Sequence, residues 1–71
     1  MKKSYDKALK RLMSILSKLN NDERPNISEL ALEFGVSKRT IQYDIYDRLI
    51  DYPIVKDCNG RLRFGEGYTL V

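Results

Sequence analysis

Arg39, Gln42, Tyr43 and Tyr46 are the residues of this 71-residue chain whose types and spacing fit a chemistry of recognition. A guanidinium, a carboxamide and two phenols offer several donors and flat faces, and a glutamine can bond adenine through two hydrogen bonds at once. At about 100° per residue these four fall close together on a helix, while Ile41, Ile45 and Leu49 gather on the other side. One helix thus has a face to pack and a strip to expose. Such a strip fits a groove in nucleic acid; the plain alternative is an ordinary amphipathic surface helix. Farther on, Lys56, Arg61 and Arg63 form a second basic group, suited to phosphate contact or to a solvated strand face.

The same inventory argues against catalysis. There is no histidine, no clustered set of carboxylates and no glycine-rich phosphate loop, so no acid–base or nucleophilic set can be assembled, and neither a metal nor a cofactor is expected. The lone Cys58 excludes an internal disulfide, and a reducing cytoplasm is the natural setting. No apolar run approaches the roughly 20 residues that cross a bilayer, so no membrane partner is expected. The net charge of +3 is unevenly spread: residues 1–20 carry six basic residues and one acidic, while 21–36 carry one basic and four acidic. A polyanion would therefore meet the N-terminal region, the Ser37 helix and the basic positions near 56–63, with 21–36 behind them.

Three helices are predicted to position these groups. Tyr5, Ala8, Leu9, Leu12, Ile15, Leu16 and Leu19 recur at three- and four-residue steps, giving helix one over about 5–19 with Ser4 as its cap. Lys2, Lys3, Lys7, Lys10 and Arg11 sit at its start or on its polar side, as a solvated face or as phosphate contacts. After a polar loop ending in Pro25, Asn26 and Glu29 have the spacing of a capping box, and Ile27, Leu30, Ala31 and Phe34 give helix two over about 27–34. Gly35 stops that helix, and Gly35-Val36-Ser37 joins it to the next in three residues. A connection that short, with a capping serine last, fits a helix-turn-helix. The recognition helix is expected over about 38–50, before Pro53 forbids continuation. Asp44 is expected to pair with Arg48 one turn later or to fix a nearby basic side chain.

Asn59-Gly60 between Ile54–Cys58 and Arg61–Phe64 predicts a β-hairpin over about 54–64 with a two-residue turn. In that register Cys58 faces Arg61 and Lys56 faces Arg63, with Val55, Asp57, Leu62 and Phe64 on the other side. Residues 65–71 read as a linker-like tail. The expected fold class is mainly α with a small β-hairpin: a single three-helix winged helix-turn-helix domain, its third helix proportioned for the major groove.

Ile27-Ser28-Glu29-Leu30-Ala31, Phe34-Gly35-Val36-Ser37, Arg39-Thr40-Ile41-Gln42, Asp44-Ile45, Pro53-Ile54 and Gly60 resemble the N-terminal DNA-binding domain of bacterial transcription regulators of the DeoR and WYL-domain type. The resemblance covers roughly residues 8 to 70. It implies sequence-specific binding of double-stranded DNA, with Ser37, Arg39 and Thr40 on phosphates and Gln42 and Tyr43 facing bases. The residues themselves add Lys38 and Tyr46 to the strip and Lys56, Arg61 and Arg63 to the wing, and equally fit Thr40 as a packing residue. Tyr43 departs from the family, where that position is often basic. Such regulators are normally longer, with a C-terminal domain that senses a ligand or assembles a homodimer, so this chain is expected to be a fragment. The competing class is a winged helix for protein contact, with Tyr43, Tyr46 and Tyr52 as an aromatic patch.

Overall fold

The computed structural model describes residues 4–68, with side chains from Lys7 onward. Lys2, Lys3, the side chain of Ser4 and residues 69–71 lie outside the described set. Helix α1 runs Ser4–Asn20 and turns Ile15 and Leu19 fully inward, with Leu12 and Leu16 against the same core. Leu9 does not join them; it is 54% exposed. Six steps of 100° leave it about 120° around the helix from Ile15, beyond the arc that the other elements cover.

Helix α2, Ile27–Phe34, begins with both halves of a capping box: Asn26 Oδ1 accepts from the Glu29 amide at 2.7 Å and Glu29 Oε1 accepts from the Asn26 amide at 3.1 Å. It ends at Gly35, whose φ of +65° lets the Val36 amide donate back to Ala31 O at 3.0 Å. An eight-residue helix is marginal alone, so these two caps and the burial of Leu30 and Ala31 hold it.

Ser37 caps helix α3, Lys38–Tyr43, through a 3.1 Å bond from the Thr40 amide. The helix does not continue as α to residue 50. From Asp44 to Arg48 it widens into a π turn, closed by the Leu49 amide donating to Asp44 O at 2.9 Å. Spacing explains the widening. Residues four apart drift by about 40° per step on an α-helix, and a wider turn cancels that drift. Ile41, Ile45 and Leu49 all stay inward, at 4% exposure or less. Each such side chain contributes about 1.5–3 kcal/mol by leaving water.

Strands β1, Ile54–Lys56, and β2, Leu62–Phe64, form an antiparallel hairpin, but one residue out of the expected register: Ile54 pairs with Phe64, Val55 with Arg63 and Lys56 with Leu62. The turn holds three residues, Cys58-Asn59-Gly60. Asp57 is the cause. Its Oδ1 accepts from the amides of Asn59 and Arg61, both at 2.9 Å, while Gly60 at φ +78° donates its amide to Asp57 O at 3.0 Å. A turn followed by a left-handed glycine is the usual three-residue hairpin closure.

Leu62 and Phe64 enter the core from β2. Beside them the end of the 21–26 loop runs extended: Pro25 is buried, its carbonyl accepts from the Leu62 amide at 2.8 Å, and Asn26 bridges Arg61. The tail turns back at once, with the Tyr68 ring edge-on to Phe64 at 4.9 Å. Three helices, a tight turn before the third and a two-stranded hairpin make a winged helix-turn-helix arrangement around one core.

Candidate nucleic-acid interface

Burial of Ile41, Ile45 and Leu49 leaves the far side of the third helix in water. Lys38, Arg39, Gln42, Tyr43 and Tyr46 are all exposed, the two tyrosines by about half (52% and 49%). Thr40 is half-buried, and its hydroxyl lies 3.1 Å from the exposed Ser37 hydroxyl, so this pair completes the cap. On α1, Lys7, Lys10, Arg11 and Ser14 line a groove against Phe34, Gly35 and Val36. The exposed Lys7 and Lys10 therefore stand beside the turn that delivers Ser37.

Under this strip lies a charged joint. Asp44 has no exposed surface; its Oδ2 accepts from Arg11 Nε at 2.5 Å, and its Oδ1 from Arg11 Nη2 at 3.3 Å and Arg48 Nη1 at 3.1 Å. Asp44 thus both pairs within its own helix and fixes a basic side chain from another. Two guanidinium groups give both oxygens of this buried carboxylate a partner, as its burial requires. Arg11, read from sequence as part of a solvated or phosphate-facing side, is instead a bolt between α1 and the third helix, its side chain only 11% exposed. Nothing in local spacing reveals a partner 33 residues away.

The wing residues are not grouped as expected. Lys56 is exposed and pairs with Leu62, whereas Arg63 pairs with Val55, so the two basic side chains leave opposite faces of the ribbon. The one-residue shift in register accounts for this, because each such slip exchanges faces. Arg63 is half-buried, with Nη1 donating to Phe64 O at 3.1 Å, beside Asp22, Arg24 and the end of α1. Arg61 turns to the start of α2, donating through Nη1 to Arg24 O at 2.8 Å and to Glu29 Oε1 at 3.2 Å. Lys56 is the wing cation that stays exposed and makes no ion pair among the described residues.

The acidic side chains around the wing hold their protons weakly. The Asn26 amide, followed by Arg61, keeps the Glu29 carboxyl below its ordinary range. At Asp57 the Arg61 amide does the same, opposed by desolvation and helped by the Asn59 amide. On the reverse side, the hydrogen bond to Glu33 raises Lys18 and ties α1 to α2 with a 3.0 Å contact. Tyr52 packs partly against the core, which leaves Tyr43 and Tyr46 as the exposed tyrosines of the three-ring patch that a protein-docking face would use.

No helix among the described residues is long and apolar enough to cross a membrane. In comparisons with protein-family models, curated proteins and solved structures, nothing matches this chain.

Proposed function

We propose that the chain is a sequence-specific double-stranded DNA-binding domain of a bacterial transcription regulator of the DeoR and WYL-domain type, working in the cytoplasm. The observation that carries this reading is the two-sided third helix, with Ile41, Ile45 and Leu49 inward and Arg39, Gln42, Tyr43 and Tyr46 in water. A helix whose packed side is buried holds the other side as a fixed surface, which reading a groove requires. Gln42 and Tyr43 face the bases of the major groove, and Lys38 and Arg39 meet phosphates at its edge. Lys56 carries the wing's contact to the adjacent backbone or minor groove. One module of this size buries roughly 600–1,000 Å² on DNA, so useful specificity calls for a homodimer.

Selection of bound sequences from a random duplex pool tests the reading. Recovery of an inverted or direct repeat gives both the site and the symmetry. On a recovered site, Arg39→Ala lowers the slope of log affinity against log salt by about 1 if it meets a phosphate. No enrichment, together with a flat salt response and tight binding to a protein, would replace this reading with the protein-contact one.

A further inference from the structure

The π turn makes neighbours of two residues that an α-helix would separate. Residues five apart lie about 140° apart on an α-helix, yet the Arg48 guanidinium carbon sits 4.9 Å from the centre of the Tyr43 ring. The same guanidinium is held from beneath by Asp44, through Nη1 alone. Asp44 is meanwhile gripped by Arg11 through two nitrogens. Two guanidiniums therefore share one carboxylate. Arg11, the more covered of the two, takes the better geometry, and Arg48 retains uncompensated charge with a side chain 40% exposed. Among the described residues Asp44 is the only acidic partner of Arg48; the exposed Asp47 and Asp51 make no ion pair with it.

An arginine with one nitrogen anchored, one face on an aromatic ring and its other donors in water is preorganised for an anion. We propose that Arg48 is a further phosphate-contact residue of the recognition face, held in its pose by Asp44 and the Tyr43 ring. This inference rests on the DNA-binding reading and adds to it a backbone contact from the C-terminal half of the helix, one turn beyond Gln42 and Tyr43. It also gives Tyr43 a second task, as the seat for a neighbouring cation.

The test measures binding of the whole chain to a random-sequence duplex between 50 and 200 mM salt. Arg48→Gln should reduce the log–log slope by about 0.9, so that its affinity falls about three to four times less than that of the wild type over this range. Arg48→Lys, which keeps the charge, should keep the slope. In a double-mutant cycle on the same duplex, Tyr43→Leu should weaken binding more when Arg48 is present than in Arg48→Gln. A purely structural ion pair would lower the melting temperature of Arg48→Gln and leave the slope untouched, and that result overturns the proposal. Additive effects in the cycle would overturn the role of the Tyr43 seat. A wild-type chain with no salt-dependent duplex binding would overturn the DNA-binding reading itself, and this contact with it.

Discussion

Asp44 and Asp57 each gather two partners and each fix one half of the candidate interface, but one works with no exposed surface and the other beside an open turn. Asp44 takes its hydrogen bonds from two arginines, one of them on another helix; Asp57 takes its own from backbone amides two and four residues ahead. The first joint is long-range and built on a fully buried carboxylate, the second local and open to water. Water decides what each is worth. A buried carboxylate that loses its partners, or strands them, pays the whole cost of desolvation, while an exposed one exchanges its partners for solvent.

The comparison is broken most severely at Asp44. Asp44→Ala strands the largely covered Arg11 guanidinium and should lower unfolding free energy by about 3 kcal/mol, the lower end for a buried pair, measured by urea denaturation. That is a large share of the stability expected for a domain this small. Replacing the pair together, Asp44→Leu with Arg11→Met, should recover most of the loss. If Asp44→Ala alone melts like the wild type, burial of the carboxylate carries no energetic weight and the contrast with Asp57 fails. At the wing, Gly60→Ala places a side chain at φ +78° with no atom nearby to clash, so only backbone strain is added, about 1–2 kcal/mol. An unchanged melting temperature there would mean that the turn relaxes freely.

The smallest effect belongs to Asp57 and is read through pH. Its folded carboxyl binds a proton less readily than the unfolded one, so the unfolded chain takes up more protons as pH falls. The stabilisation is complete above the ordinary aspartate value of about 3.9 and is lost as pH drops through the lower folded value. Asp57→Asn should therefore melt within a narrower range than the wild type across this acid window, with a loss at neutral pH smaller than that of Gly60→Ala. An identical acid dependence in the two proteins would show that other carboxyls, Glu29 first, carry it.

What could be read in the sequence was what neighbours decide. The Asn26–Glu29 box, the Gly35 stop, the Ser37 cap and the inward set Ile41, Ile45 and Leu49 all depend on residues within one or two turns, and all stand in the structure. The hairpin was legible around Asn59-Gly60, but its register was not, because Asp57 competes for the turn amides and adds a residue to the loop. Contacts across tens of residues left no trace: Arg11 with Asp44, Arg61 with Glu29, and Pro25 with Leu62. The π turn was hidden for a related reason, since a four-residue apolar spacing reads equally well in either helical form.

The seam between Pro25 and Leu62, reinforced at Asn26 and Arg61, has a mechanical consequence. It fastens the ribbon to the base of the second helix, so the hairpin cannot hinge away from the core without breaking main-chain hydrogen bonds. A load on the ribbon's tip is therefore carried into the second helix instead of being taken up by the hairpin alone.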